Sequence, residues 1–515
     1  MEQKWWTLIA VCVGIFMLLI DITVVNVALP SIQRSLHASF SDLQWVVNTY
    51  ALMLAALLLT AGSLADLFGR KLLFTVGLVI FTAASLTCGL AQSPLMLNAS
   101  RAVQGIGGAI MLATSLALIA EAFRGRDRAT AFAAYGAVVG AAVAVGPLVG
   151  GALTSGLGWR WIFFVNLPIG VGGVILTIRA VSESRDPAAT RVDWLGLTTF
   201  SGSLFLWVYA LIEGNSKGWG SGEIIGCLAG AFALLCAFAL AELRQERPMF
   251  DLTLLRRPAF AGASIVAFAI SASMFSLFLY LTLYLQNVLG YSAFQTGLRF
   301  LPMTMILFVI APLAGRATLL VPIRVILAAG LVLVAVGLVL MSGLSGSSGW
   351  THLLPGFIIG GIGIGFVNPP LAATAVGVVP HHRSGMASGI NNTCRQVGFA
   401  TGIAALGAIF QHEVSSRTLS ALRHSGQLNA VLSGTHGRLQ STFASGSTAS
   451  LAKALPAGPR AALISSFHTA FTGALNEIFL IAAAIALAGA IGGLVLVRRS
   501  DFIAQPGASA SPAAA

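Results

Sequence analysis

A carboxylate and a guanidinium sit where charge is costly. Asp21 falls about 15 residues into the apolar run 6–29, and Arg101 about six residues into the run 96–122. With about 1.5 Å of rise per residue, a core of roughly 30 Å and the two runs crossing in opposite directions, both side chains lie about 8–9 Å below the same face of a bilayer. A lone carboxylate there costs several kcal/mol unless it is paired, hydrated or protonated. Asp21 is therefore a candidate for taking up and releasing a proton, with Arg101 as the neighbour that competes for it. The plainer alternatives are an Asp held by structural hydrogen bonds and an Arg that ties helices together through backbone carbonyls. Glu477, beside Asn476 on the outer turn of the last apolar run, is a second candidate acid. Its depth of about 7 Å also allows it to snorkel to the interface as an ordinary carboxylate.

Three further clusters carry possible chemistry. In the run 385–411, Ser388, Asn391, Asn392, Arg395 and Gln396 share one helical face of about 140°, flanked by Gly398 and Gly402. In hydrocarbon such a stripe must line a cavity, where it would meet a substrate, or bind another helix. The hairpin GSLADLFGRK, Gly62 to Lys71, places Asp66 at the C-terminal end of a helix, whose dipole it opposes. Asp66 should seek the start of another helix or the Arg70 guanidinium, so that Gly62, Asp66, Gly69, Arg70 and Lys71 form a conformational latch; a solvated turn with topology-setting charges is the alternative. Gly146, Pro147, Gly150 and Gly151 offer a bent helix with small residues at close-packing spacing, either a tight seam between two halves or generic packing glycine. No strand or βαβ unit surrounds these glycines, so they are not a nucleotide fingerprint. His381 and His382 lack companion ligands, and no metal site is expected.

The elements that must position these residues are membrane helices. Of 515 residues, 57% are hydrophobic and 9% charged, against roughly 25% charged in a soluble domain. That excludes a water-soluble fold of this size. About fourteen apolar runs are long enough to cross a bilayer: 6–29, 43–63, 72–91, 96–122, 130–154, 161–179, 194–213, 223–241, 259–285, 296–315, 321–343, 352–379, 385–411 and 472–497. The net charge of +12 is spread through connectors and does not suit nucleic acid. With the N-terminus inside, 18 of the 29 Lys and Arg are cytoplasmic, while short outer connectors hold only Arg34, Arg160, Lys217 and Arg299. All five cysteines lie in apolar runs, so no disulfide framework is expected. The first run follows Lys4, contains Asp21 and lacks a cleavage site, so it reads as a retained helix.

LADLFGRK (64–71) after the second run is echoed by LAGR (313–316) after the tenth, as in a duplicated transporter plan. The expected fold is all-α, with fourteen transmembrane helices. Two six-helix bundles, 1–185 and 251–500, flank an inserted helix pair at 186–250. A long extracytoplasmic loop spans 412–470, and 501–515 has the composition of a disordered cytoplasmic tail.

GSLADLFGRK resembles the cytoplasmic-loop signature of the major facilitator superfamily, departing at Leu67, where a basic residue is frequent. LNASRAVQGIGGA (97–109) is similar to its fourth-helix motif. GPLVGG (146–151) is similar to the core of its antiporter motif, with alanines such as Ala133 and Ala142 replacing upstream glycines. LIDITVVNVALP (19–30) and NNTCRQVGFATG (391–402) resemble the fourteen-span drug:proton antiporters. The resemblance implies a secondary transporter, not an enzyme, in the cytoplasmic (inner) membrane with both termini in the cytoplasm. It would export lipophilic small molecules by alternating access, exchanging protons at Asp21. Its energy source would be the proton gradient: no cofactor is expected, and no GxxxxGK[ST] run for ATP is present. The expected partners are the substrate, protons and the bilayer; whether a periplasmic adaptor joins them is left open. An exporter dedicated to one endogenous metabolite or lipid, and a non-transporting receptor or scaffold on the same fold, are the rivals. Asp21 and Glu477 against Arg101 and Arg395 give a near-neutral interior, which predicts preference for neutral, zwitterionic or monovalent compounds over dications.

Overall fold

The computed structural model describes residues 2–185, 192–245, 248–318, 320–379, 383–424, 455–498 and 501–502. Among them are fourteen helices long and apolar enough to cross a membrane. In chain order these are α1 (Gln3–Leu36), α2 (Phe40–Phe68), α3 (Arg70–Gly89), α4 (Pro94–Ala122), α5 (Gly125–Gly156), α6 (Trp161–Ala180) and α7 (Trp194–Lys217). They continue with α8 (Gly222–Arg244), α9 (Pro258–Val288), α10 (Ala293–Ala317), α11 (Ile323–Met341), α12 (Trp350–Gly377), α13 (Ser384–His424) and α14 (Ala457–Leu496). An even number of crossings puts both ends of the chain on one face, the terminal side, opposite the far side.

Local chemistry sets the helix ends. Ser39 with Asp42 and Ser292 with Gln295 form reciprocal capping boxes at the starts of α2 and α10. Ser93 caps α4 with Pro94 at its first position. Gly69, at φ +125°, makes the corner between α2 and α3 that other residues rarely adopt. α9 is interrupted by π turns at Ser271–Phe275 and Tyr284–Val288, where Ser273 and Ser276 bond back to the carbonyls of Ala269 and Ala272 at 2.6 and 2.7 Å.

Helices α1 to α6 pack among themselves, with α2 against α4, α3 against α4 and α1 against α5. Helices α9 to α14 do likewise, with α11 against α12 and α14, and α13 against α14. The two groups meet along α5–α10 and α2–α13. α7 and α8 pack on each other, and α7 also touches α2 and α13.

The stretch 412–470 departs from the expected loop: α13 continues to His424 and α14 begins at Ala457. Val414, Thr418 and Leu422, one helical turn apart, are buried, as are Leu463, Phe467 and Phe471 of α14. This extension is amphipathic rather than apolar, so a reading based on hydropathy stops short of it. Residues 425–454 and 503–515, and His381 and His382, lie outside the described residues.

Candidate functional site

Asp21 and Arg101 meet inside the first group of helices. Arg101 Nη1 donates to Asp21 Oδ2 at 2.5 Å, and the two side chains are 2% and 0% exposed. Gln104, one turn along α4, donates to Asp21 Oδ1 at 2.9 Å and accepts from Arg101 at 2.8 Å. Asn166 of α6 adds a donor to Asp21 at 3.3 Å and a second bond to Ser85 of α3 at 3.1 Å. Arg101 Nε also donates to the Val46 carbonyl of α2, and its guanidinium lies 4.2 Å from the centre of the Tyr50 ring. Arg101 thus pairs with the acid and also ties helices through a carbonyl.

Small residues bring these side chains together. A Cβ at Gly105 would stand 2.8 Å from the Tyr50 carbonyl of α2, and one at Gly107 2.6 Å from the Phe81 nitrogen of α3, so α4 lies backbone to backbone between its neighbours. Gln104 and Asn166 escaped the sequence reading because neutral amides cost less in an apolar run than charges do. Their signals were the three-residue step from Arg101 and an Asn two residues before Pro168 in an otherwise apolar span.

The glycines of GPLVGG divide between two faces. Gly146 abuts Thr23, and a Cβ at Gly150 would lie 2.9 Å from Val24 Cα, both on α1. Gly151 faces α10, where the Ala293 carbonyl would be 2.5 Å away, and Pro147 backs onto Gly297 of the same helix. Thr304 of α10 donates to the Ala144 carbonyl at 2.9 Å. Across the other seam, Gln44 of α2 and Tyr280 of α9 both donate to the Ile403 carbonyl of α13, at 2.9 and 2.5 Å. Gln286 of α9 donates to the Val27 carbonyl of α1 at 2.7 Å. These contacts join the two groups in the far half of the molecule. Toward the terminal side, a Cβ on Gly62, Gly136, Gly315 or Gly385, on α2, α5, α10 and α13 respectively, would meet nothing within 4 Å.

In the hairpin, Asp66 accepts from Arg70 at 2.8 and 3.0 Å, the nearer of its two expected partners. Glu183, beyond α6, accepts from the backbone N–H of Lys71 and Leu72 at 3.0 and 3.1 Å, and Lys71 Nζ reaches the Ile178 carbonyl. The hairpin is thus fastened to its own group of helices. The α13 stripe splits: Asn391 donates to the Ala263 carbonyl of α9, Asn392 to Ser388 in its own helix, and Arg395 and Gln396 are partly buried. Glu477 is not brought to Asp21. It pairs with Arg417 of the α13 extension at 2.6 Å, both about two-fifths exposed.

Fourteen apolar helices, a buried ion pair in one group and glycine-lined seams between the groups define a multi-pass membrane protein. The chain belongs to the Major Facilitator Superfamily, whose model matches residues 11–403. It is 38% identical over 404 residues to the multidrug resistance protein Stp of Mycobacterium tuberculosis (strain CDC 1551 / Oshkosh), covering 78% of this chain and 75% of that one. It is 37% identical to the puromycin resistance protein pur8 of Streptomyces alboniger (79% and 82% covered) and 36% identical to a probable actinorhodin transporter of Streptomyces coelicolor (79% and 72%). Two crystal structures of a bacterial homologue of the human lysosomal transporter Spinster, inward-facing and either unoccupied or occupied, share the fold. Their TM-scores are 0.60 and 0.62 at 19% and 16% identity, over 98% of this chain and 99% and 100% of theirs.

Proposed function

We propose that this transporter is a proton-coupled antiporter that exports lipophilic drugs or related small molecules from the cytoplasm by alternating access. The observation that carries the reading is the buried Asp21, held by Arg101, Gln104 and Asn166. An acid that has released its proton needs such compensation in a dry interior. An acid that has gained one lets go of Arg101, and the balance between conformers changes. The names of the relatives support efflux as the direction. The basic residues Arg70, Lys71, Arg256, Arg257 and Arg383 cluster at the terminal ends of the helices, which supports a cytoplasmic terminal side and an inner-membrane location.

The test is a panel of dyes and antibiotics assayed in proteoliposomes for uphill flux against an imposed pH gradient. Wild type should move several of them and Asp21→Asn none. Uphill export by the variant would refute the coupling role. A dedicated exporter of one compound is the second reading, favoured by relatives named for single substances such as actinorhodin and tetracenomycin C. It predicts a single responder in the panel.

A further inference from the structure

The interior is not electrically balanced. Asp21 and Arg101 neutralise each other, and on the far side Arg417 pairs with both Glu413 and Glu477. Arg299 of α10 donates to the Gln295 carbonyl and lies over the Tyr291 ring. Arg395 remains. It sits eleven residues into α13, about 16 Å from the start of that helix and so near mid-span. It is partly buried, and among the described residues no hydrogen bond or ion pair reaches its guanidinium. Gln396, also partly buried, follows it on the same polar stripe of the helix that faces α2 across the two groups. With Glu477 paired outside, the near-neutral interior expected from sequence becomes one net positive charge at mid-membrane.

We propose that Arg395 is a specificity-determining residue of the cargo path, selecting substrates that carry an anionic oxygen, a carboxylate or an acidic phenol, over cations. This rests on the transporter reading above and adds the substrate class. A guanidinium offers a planar fork of donors that matches two oxygens of an anion. In a medium that screens poorly, an unpaired cation is relieved by an incoming anion and repels another cation. Arg395 cannot relieve itself by losing its proton, because guanidinium stays charged in proteins.

The experiment measures dye binding by fluorescence anisotropy to the full chain in nanodiscs. Fluorescein, rhodamine B and rhodamine 6G share a xanthene core and are anionic, zwitterionic and cationic. Wild type is expected to bind fluorescein about tenfold more tightly than rhodamine 6G. Arg395→Gln should weaken fluorescein by about tenfold while leaving rhodamine 6G within about twofold, and Arg395→Lys, which keeps the charge, should restore part of the loss. Tighter binding of rhodamine 6G by wild type, an unchanged ranking in Arg395→Gln, or no saturable binding of fluorescein would each overturn the proposal. Binding needs no gradient, so retained anion selectivity without proton-driven flux would uphold Arg395 and count against the antiport reading alone.

Discussion

Removing one member of the Asp21–Arg101 pair strands the other. A buried pair adds little stability over apolar residues of the same shape, yet breaking it from one side costs about 3–5 kcal/mol. In Asp21→Asn, Arg101 keeps the Gln104 and Val46 oxygens and gains an amide oxygen, so the lower figure of about 3 kcal/mol applies. In Arg101→Gln, Asp21 keeps the donors of Gln104 and Asn166, and the cost is again about 3 kcal/mol. The double variant holds no charge and loses only hydrogen bonds, about 2 kcal/mol. Single costs of about 3 kcal/mol each against about 2 for the pair give a coupling of about 4 kcal/mol. Denaturant unfolding of the reconstituted protein, followed through its nine tryptophans, measures all four corners of the cycle. Coupling below about 0.5 kcal/mol would show that the charges do not depend on each other, and the reasoning would fail. The cycle also supplies the control for transport: the double variant should regain stability while remaining unable to couple protons to export.

Glu477→Gln should leave uphill export within about twofold, because its exposed pair with Arg417 is worth at most about 1 kcal/mol; loss of proton-driven flux would return Glu477 to the coupling machinery. Gly69→Ala should lower stability by about 1–3 kcal/mol, since φ is +125° there and the new Cβ would stand 2.6 Å from the Glu183 carboxylate; an unchanged melting temperature would contradict this. Asp193, the cap of α7, is partly buried, yet hydrogen bonds from Gln245 and the Gly196 N–H hold its carboxyl below the ordinary carboxylate range. Its folded value lies below its unfolded one, so its stabilisation is present at neutral pH and fades as pH falls below about 4. The gap of about 1 kcal/mol between wild type and Asp193→Ala should therefore narrow by pH 3 (about one unit below the unfolded value), and a gap that persists there would refute the assignment. Spin labels at positions 136 and 315, in a background stripped of the five cysteines, should change their separation as wild type is acidified, and the separation should no longer depend on pH in Asp21→Asn/Arg101→Gln. A wild-type distance indifferent to pH would undo the link between Asp21 and the arrangement of the two groups.

The parts legible in the sequence are those the bilayer dictates. Apolar runs of this length give fourteen candidate crossings because a helix satisfies its own backbone hydrogen bonds in lipid. Counting residues along two oppositely directed helices puts Asp21 and Arg101 at one depth, and the fold brings them to 2.5 Å. Where water replaces lipid the signal changes. Glu477 looks like a shallow membrane acid only if α14 starts at 472; with α14 beginning at Ala457 and α13 reaching His424, its partner Arg417 comes into range. The stripe on α13 shows a further limit, since helical angle sorts polar from apolar but cannot say that Asn391 bonds α9 while Arg395, among the described residues, lacks a partner.

One short stretch of α1 carries both the charge and the seams. Asp21 reaches α4 and α6, Thr23 and Val24 lie against Gly146 and Gly150 of α5, and the Val27 carbonyl takes the Gln286 amide of α9. Through Gly151, α5 in turn rests on α10. The contacts with α5 involve backbone and short side chains, which have little freedom to yield, and close-packed interiors pass a displacement on rather than absorb it. On the proton-coupled reading, a proton on Asp21 weakens its hold on Arg101, and any shift of α1 that follows is delivered to α5 and α9 within two helical turns. Glycine at 150 makes this possible: with a Cβ that would stand 2.9 Å from Val24 Cα, α1 and α5 would have to separate, and the charge would lose its mechanical contact with the seam.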